Sequence, residues 1–292
     1  MKSGWMVVAG LLFALMGVFV KLGARHFSAA ELVFYRSLVG LLIIWGMVRR
    51  RGLSLATPHL RMHVWRGLSG FFALMLFFYA ISALPLATAI TLNYTSPLFL
   101  ALLLTLVLGQ KPAWWLIAAL LLGFVGVALL LHPRFDDTDF LARLMGLASG
   151  FLAGVAYLNV KQLGAAGEPE WRVVFYFTLV CTVGAAFWML AHEFHGIDWR
   201  DLPLLLGLGL SATLAQLAMT RAYRLGHPLV VGSLAYSTVV FASLFGIALW
   251  GEVLAPLSWL AIGLIIASGA ISSAVTSRRS IAQDSRKSQH AQ

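Results

Sequence analysis

Ten long apolar stretches follow one another along the chain, and short polar segments separate them. Each stretch holds about 20 residues, the length that a helix rising 1.5 Å per residue needs to cross a hydrocarbon core about 30 Å thick. The pattern therefore predicts ten transmembrane helices. They are expected at residues 4–22, 31–48, 64–83, 87–108, 113–131, 143–163, 171–191, 202–222, 229–250 and 257–276.

Composition agrees with this pattern and excludes other classes of protein. Hydrophobic residues make up 60% of the 292 residues, the mean hydropathy is +0.87, and 11% of the residues are charged, against about 25% in a soluble domain. A soluble fold is thereby excluded, and so is a disulfide scaffold, because Cys181 is the only cysteine. Lys2 alone is too little basic charge for a signal peptide, so we expect the first stretch to be retained.

The basic residues gather at the ends of the apolar stretches. A net charge of +10 would indicate nucleic acid only if the charges shared one face of a soluble domain, so no nucleic-acid partner is expected. Fifteen Lys and Arg residues fall at the termini and in the connections on their side of the membrane, and five fall on the other side. Because cytoplasmic segments carry the excess of Lys and Arg, we predict a multi-pass protein of the inner (plasma) membrane with both termini in the cytoplasm.

The two halves of the chain resemble each other. The matching segments are Val20 onward with Val160 onward, Tyr94–Phe99 with Tyr236–Phe241, and Leu108–Gln110 with Trp250–Glu252. Five helices per copy is an odd number, so the second copy crosses the membrane in the opposite direction, as in many secondary transporters. The sequence predicts an all-α polytopic membrane protein, with ten transmembrane helices as two inverted five-helix repeats at 1–131 and 132–276 and a basic cytoplasmic tail at 277–292.

The first repeat, and a shorter echo of it in the second, resemble a known family. The stretch from LSGFFALM to GFVGVALLL at residues 68–131, and LSWLAIG at 257–263, are similar to the drug/metabolite transporter superfamily of the EamA type. The resemblance covers residues 4–276 and implies export of small metabolites. The chain looks most like a bacterial amino-acid exporter, which makes amino acids, aromatic and other neutral ones included, the expected small-molecule partners. Export of drugs or lipophilic cations is the alternative.

Pro97 is the only proline deep inside a predicted span, and polar side chains surround it. Its ring removes the hydrogen bond to the carbonyl of Asn93, and a freed carbonyl in the membrane must face protein or a wet cavity. One interpretation is a polar kink that lines the substrate cavity with Asn93 and Ser96, and the other is a kink satisfied by neighbouring helices. Tyr94 and its repeat counterpart Tyr236 are expected to face each other.

Further polar side chains inside the apolar stretches predict an amphipathic cavity. Each one alone serves equally well as an interhelical hydrogen-bonding group worth about 0.6 kcal/mol. With four apolar side chains, which also suit helix packing, they predict a site for a substrate with an apolar body and a polar head. The polar candidates are Tyr79, Tyr157, Asn159, Gln216 and Ser237, and the apolar ones are Phe13, Met16, Phe72 and Met75.

Two other features of the stretches have alternative interpretations. Arg36 lies about a turn and a half inside the second stretch. One interpretation is that it pairs with a carboxylate or with the substrate. The preferred interpretation is that its side chain extends to the outer membrane interface. Gly146, Gly150 and Gly154 repeat at the GxxxG spacing, which predicts close helix packing and alternatively a sliding face between helices.

Enzymatic and cofactor motifs are missing from the sequence. It has no Gly-rich lysine loop for phosphates, no HExxH and no GxSxG, so no metal or other cofactor and no catalysis are expected. A lipid-modifying enzyme is the alternative, and its candidate cluster lies on one outer connection, at His192, Glu193, His195 and Asp198. A channel or scaffold is a third class, but it explains the inverted repeat poorly.

The positions of the acidic residues indicate whether transport is coupled to a proton gradient. No Asp or Glu falls in the central part of a predicted helix, although proton coupling in a membrane normally uses such a group. Lys21 and Lys161 lie near helix ends. The sequence therefore predicts alternating access with uniport-like movement down the substrate gradient, and it leaves the oligomeric state open.

Overall fold

The computed structural model describes residues 2–84, 86–131, 140–190, 195–251 and 255–290, and every regular element among them is helical. The α-helices are α1 (Trp5–Gly23), α2 (Ala29–Arg50), α3 (Leu60–Ala83), α4 (Leu86–Asn93), α5 (Ser96–Leu108), α6 (Trp114–Leu131), α7 (Phe140–Ala165), α8 (Glu170–Leu190), α9 (Leu202–Leu225), α10 (Pro228–Ala235), α11 (Ser237–Trp250) and α12 (Pro256–His290). Since α4 with α5, and α10 with α11, form two broken spans, the helices make the ten crossings that the sequence predicts.

Most of these spans meet the physical requirement for crossing a membrane. Within the described residues, nine of them are long and apolar enough to do so. The remaining one, α3, begins with Arg61, His63 and Arg66 in its first two turns and packs against α7 and α8 inside the bundle. The chain is therefore a multi-pass membrane protein.

Two glycines end equivalent helices in the two repeats. Gly109 follows α5 with φ at 61°, and Gly251 follows α11 with φ at 65°. This left-handed conformation is one that side chains with a Cβ rarely adopt, so glycine is the usual residue at such a helix end. The match of LGQ with WGE between the halves thus records the same structural requirement in each repeat.

Helix packing follows a pseudo-twofold exchange between the repeats. If α1, α2, α3 and α6 are equated with α7, α8, α9 and α12, then α3 on α7 corresponds to α1 on α9, and α5 on α7 corresponds to α11 on α1. The exchange leaves two further pairs unchanged, α2 with α8 and α6 with α12, because in each of them a helix packs against its own equivalent. This packing is that of two inverted five-helix repeats, an architecture whose substrate sites generally lie where the copies meet.

The last helix differs from the sequence-based expectation. Its apolar part was expected to end at residue 276, before a basic tail, but α12 continues as a helix to His290. Lys and Arg in the tail are good helix formers, and the segment contains no proline or glycine to stop the helix.

The fourth and ninth spans break at the same place. In the first repeat α4 ends at Asn93 and α5 begins at Ser96, which puts Pro97 in the first turn of α5. In the second repeat the break falls at Tyr236, although Val239 stands in place of the proline. Pro97 therefore does not kink a continuous helix, as the sequence was taken to indicate. It starts a new helix, where its missing N–H leaves no bond unmade.

The glycine stripe of α7 packs against the break between α4 and α5. A Cβ on Gly150 would lie 2.7 Å from the carbonyl oxygen of Leu92, and one on Gly154 would lie 3.1 Å from that of Ser96. Such short distances to backbone atoms leave no room for a side chain. The predicted close packing at the GxxxG spacing is confirmed, and it joins the first repeat to the second.

Candidate functional site

Four tyrosines meet in the interior of the bundle. The ring centroids of Tyr94 and Tyr236 are 6.2 Å apart, and those of Tyr157 and Tyr223 are 5.1 Å apart. The two pairs adjoin, since Tyr157 interacts electrostatically with Tyr94, and Tyr223 with Tyr236. The predicted meeting of Tyr94 and Tyr236 is confirmed. We call these four residues the tyrosine cluster, and it lies between the repeats because Tyr94 belongs to the first and the others to the second.

The hydroxyl groups of the tyrosine cluster fall into two kinds. Those of Tyr94 and Tyr157 are hydrogen-bonded to the side chains of Thr238 and Ser96. Among the residues that the structure describes, five other buried oxygens nearby on α9 to α11 have no partner. They belong to the side chains of Gln216, Thr220, Tyr223, Tyr236 and Ser237. Leaving a buried polar group unpaired costs about 1–3 kcal/mol, so such a concentration makes this place a candidate for binding water or a ligand.

Some of the predicted site residues act first as packing groups. Asn93 donates from Nδ2 to Oγ of Ser149 on α7 at 3.0 Å, and Pro97 is buried against Gly232 of α10. Phe13 of α1 packs against the main apolar core, which includes Tyr223 and Tyr236. These contacts hold the two repeats together around the tyrosine cluster.

Four other predicted site residues are exposed or half-buried. Phe72 and Tyr79 on α3 are 51% and 46% exposed. Met75 on the same helix and Asn159 on α7 are half-buried. Their spacing within an apolar stretch could not distinguish a face that packs inside the bundle from one that does not.

Arg36 lines a cavity instead of reaching the interface. Its side chain is 8% exposed, and its Nη1 lies 3.6 Å from Sδ of Met16, itself a predicted site residue. The preferred sequence interpretation of Arg36 is therefore wrong, because α8 and α9 enclose the side chain. The cavity has a volume of about 10 Å³, roughly the space of one water molecule, and it is lined by Arg36, Ser37, Thr178, Ala212, Thr213 and Gln216.

Arg66 is a second buried cation, and the sequence analysis missed it. Its side chain is 3% exposed, its guanidinium carbon lies 4.1 Å from the ring centroid of Phe177, and its Nε and Nη1 have no partner among the described residues. The predicted helix began at residue 64 and left Arg66 near the interface, but α3 begins at Leu60. Arg66 also interacts electrostatically with Tyr157 and Arg36, so it joins the tyrosine cluster to the cavity.

The charge of these two arginines is not neutralised by the protein residues that the structure describes. Within those ranges no Asp or Glu oxygen lies within 4.0 Å of Arg36 or Arg66. Charged side chains inside membrane-spanning segments are costly unless they are paired or face a polar cavity. The site is therefore a polar, cationic interior bordered by aromatic rings.

A buried carboxylate fixes the connection between α2 and α3 to the second repeat. Glu168 accepts hydrogen bonds from Oγ1 of Thr57 at 2.5 Å and Nη1 of Arg172 at 2.9 Å, and its Oε2 lies 3.3 Å from Nε2 of His63. Burial raises the pKa of Glu168, but these contacts outweigh it and hold that pKa below its usual value of 4.5. The carboxylate is thus ionised at neutral pH.

The opposite end of the bundle has an equivalent contact. Glu31 accepts hydrogen bonds from the backbone N–H of Ser28 at 2.6 Å and of His195 at 2.5 Å, and its Oε2 lies 3.1 Å from Nδ1 of His195. The pseudo-twofold exchange equates the connection α1–α2 with α7–α8, and α8–α9 with α2–α3. Glu31 and Glu168 therefore tie corresponding connections at opposite ends of the α2 and α8 pair.

The cluster considered for an enzyme is not assembled by the described residues. His195 is engaged by Glu31, and Asp198 accepts a bond from a neighbouring backbone N–H. His192 and Glu193 lie outside the described residues. In the part of the chain that the structure describes, no group of three His, Cys, Asp or Glu residues is placed to hold a metal ion.

Comparison with known proteins agrees with a transporter. The sequence matches the EamA-like transporter family twice, over residues 2–132 and 140–274. A crystal structure with 18% sequence identity superposes with a TM-score of 0.82, covering 94% of this chain and 98% of the other, so the two share a fold.

Several curated transporters are similar over nearly their whole length. The pseudopaline exporter CntI of Pseudomonas aeruginosa is 32% identical over 259 residues, 87% of this chain and 89% of that protein. The riboflavin transporter of Vibrio cholerae is 26% identical over 276 residues, 90% of each chain. The S-adenosylmethionine uptake transporter of Rickettsia bellii is 23% identical over 255 residues, 85% of each chain.

The names of these relatives support one part of what the sequence resemblance implied and not the other. They are names of transporters rather than of enzymes, but none is named for amino acids, so they do not support the narrower resemblance to an amino-acid exporter. The wider resemblance is confirmed by the match of both repeats. The chain belongs to the EamA-like transporter family.

Proposed function

We propose that the protein exports a small metabolite across the inner (plasma) membrane by alternating access, and that the substrate binds at the tyrosine cluster and the adjoining cavity. The observation that carries this proposal is the group of unpartnered buried oxygens where the repeats meet, at Gln216, Thr220, Tyr223, Tyr236 and Ser237. Polar groups of this kind gain hydrogen bonds when a polar ligand binds.

The substrate we propose has an apolar body and a head that bears a carboxylate. Aromatic rings suit the body, and the guanidinium groups of Arg36 and Arg66 suit the carboxylate. Amino acids, aromatic and other neutral ones included, belong to this class. The cargoes named for the relatives, pseudopaline, riboflavin and S-adenosylmethionine, indicate that this fold also accepts larger metabolites. Two buried cations disfavour the alternative of lipophilic cations as cargo.

Alternating access follows from the inverted repeats. We propose that residues 1–131 and 132–276 rock against each other, so that the contact of Glu31 at one end and that of Glu168 at the other open in turn. Both termini and the connection between α2 and α3 lie in the cytoplasm in this proposal. The basic residues of 277–292 then lie in the cytoplasmic part of the chain that α12 continues into.

The test is exchange in proteoliposomes of a panel containing neutral amino acids, dicarboxylates and lipophilic cations. We expect exchange of at least one carboxylate-bearing metabolite. Tyr223→Phe and Tyr236→Phe should each lower that flux about tenfold by removing a hydrogen bond to the substrate, without lowering Tm, because the hydroxyl has no protein partner among the described residues. Tyr35→Phe removes a hydroxyl outside the cluster and is the matched control.

Two results would contradict the proposed function. One is exchange of no panel member above the rate in protein-free liposomes. The other is wild-type flux in both Tyr223→Phe and Tyr236→Phe, which would place the substrate away from the tyrosine cluster.

A further inference from the structure

We propose that Arg36 and Arg66 form a bipartite anion site, and that the physiological substrate carries at least two carboxylate groups, one for each guanidinium. This inference deepens the proposed function and rests on it. It excludes a neutral zwitterion as the preferred cargo, because such a molecule supplies one carboxylate and brings a cation of its own.

The first argument is the electrostatics of the two side chains. They are 8% and 3% exposed, and they are close enough to repel each other. Arg36 has a sulfur atom, Sδ of Met16, at 3.6 Å, and Arg66 has the ring of Phe177 at 4.1 Å. Neither contact supplies a negative charge, so the anion that neutralises the pair comes from outside the residues that the structure describes.

The second argument is that apolar side chains occupy the equivalent positions of the second repeat. When the repeats are aligned on FYRS with FYFT, Arg36 corresponds to Phe177, and when they are aligned on RGLS with LGLS, Arg66 corresponds to Leu208. Phe177 and Leu208 are both buried at their positions in the second repeat. Packing at these positions is thus satisfied by apolar side chains, and the first repeat carries cations there for another purpose.

The third argument is the placement of the two groups beside polar side chains. Arg36 lines the cavity together with Ser37, Thr178 and Gln216, whose Oε1 has no partner among the described residues. Arg66 borders the tyrosine cluster through Tyr157 and leaves Nε and Nη1 free of protein partners in the described ranges. A guanidinium presents paired N–H donors that match the two oxygens of a carboxylate. One ligand with two separated carboxylates can satisfy both groups at once.

The experiment uses three ligands that share an apolar body and differ only in charge. They are 2-phenylsuccinate, its monoamide and its diamide, with two, one and no carboxylates. Their affinities for the full-length protein in detergent are measured by thermal stabilisation at neutral pH. We expect the diacid to bind about tenfold more tightly than the monoamide, and the monoamide more tightly than the diamide.

Each variant replaces one of these arginines with the residue that occupies the equivalent position in the second repeat. Arg36→Phe and Arg66→Leu should each reduce the affinity for the diacid about tenfold or more, with little change for the diamide. Arg61→Leu removes an exposed arginine from the same helix as Arg66 and should leave all three affinities unchanged. If Arg36→Phe or Arg66→Leu does not fold, Arg36→Gln or Arg66→Gln replaces it in the same comparison.

The outcomes separate this inference from the proposed function. Equal affinity for the three ligands, no binding of the diacid, or a wild-type preference retained by either variant would overturn the anion site, even if proteoliposomes exchange a neutral amino acid. A graded series that the variants abolish would uphold the anion site even if no panel member crosses the membrane, and in that case the proposed transport would fail alone.

Discussion

A single hydrogen bond decides between the two interpretations of Asn93. If Asn93 acts only by holding α7, then Asn93→Ala and Ser149→Ala remove the same contact of 3.0 Å and should lower Tm and transport by equal amounts, with a stability cost of about 0.6 kcal/mol. If Asn93 also binds substrate, Asn93→Ala should lower flux several-fold more than Ser149→Ala at the same Tm. We expect the second result, because Asn93 directly precedes Tyr94 of the tyrosine cluster in the chain. Equal flux in the two variants would assign Asn93 to packing alone.

Residue-scale features were only partly predictable from the sequence. Tyr94 with Tyr236 was predictable, because the alignment of the repeats places equivalent residues opposite each other. Arg66 was not predictable, because the local sequence does not distinguish an arginine two turns inside a helix from an arginine at the membrane interface. The exposed positions of Phe72 and Tyr79 show the same limit, since an almost wholly apolar stretch does not indicate which face packs inside.

The bounds of the helices were predicted closely, because each apolar stretch has the length of a membrane span and polar residues mark its two ends. Eight of the ten predicted starts fall within two residues of the observed ones. Helix α3 begins earlier because Arg61 and His63 lie in its first turn, and α7 is described from Phe140. The breaks at Asn93 and Tyr236 were harder. Only one has a proline, so a rule based on proline finds the first and overlooks the second.

The contact between α7 and the break in the fourth span makes Gly150 sensitive to any side chain. Gly150→Ala places a methyl group 2.7 Å from the carbonyl oxygen of Leu92, a backbone atom that cannot rotate away, so we expect a loss of about 1–3 kcal/mol and a lower Tm. Gly17→Ala is the matched control, because a Cβ at Gly17 meets nothing within 4 Å. Equal Tm in the two variants would contradict the close packing of α7 on the break.

The contact of Glu168 makes stability depend on pH in a defined direction. Because its folded-state pKa lies below 4.5, Glu168 stabilises the fold above the pKa of the unfolded chain, and that contribution is lost as pH falls through the folded-state pKa. We expect the Tm of the wild type in detergent to drop on acidification below about pH 4.5, and to drop less in Glu168→Gln. At neutral pH the variant should be less stable by about 1–3 kcal/mol. Parallel pH profiles for the two proteins would contradict this assignment.

At the scale of the whole molecule, the positions of the carboxylates indicate whether a proton gradient drives transport. The buried acidic residues Glu31 and Glu168 lie at the two ends of the α2 and α8 pair, and each is engaged by protein groups. The basic groups near the ends are occupied as well, since Lys161 donates to the carbonyl of Gly226 and Nζ of Lys21 lies 3.9 Å from the ring centroid of Trp250. The central site itself contains arginines, which stay protonated near neutral pH. Among the residues that the structure describes, no Asp, Glu or His therefore stands at this site to exchange a proton between the two states.

We therefore expect uniport-like export down the substrate gradient. In proteoliposomes with equal substrate on both sides, an imposed pH gradient should produce no net accumulation, while a substrate gradient alone should produce flux. A membrane potential should affect the flux if the cargo is an anion, because its charge then crosses with it, so potassium and valinomycin are used to clamp the potential during the measurement. Sustained accumulation driven by pH under that clamp would refute uniport. Loss of that accumulation in Glu31→Gln, Glu168→Gln or Lys161→Gln would then identify the coupling group, and with it the end of the bundle at which the proton enters.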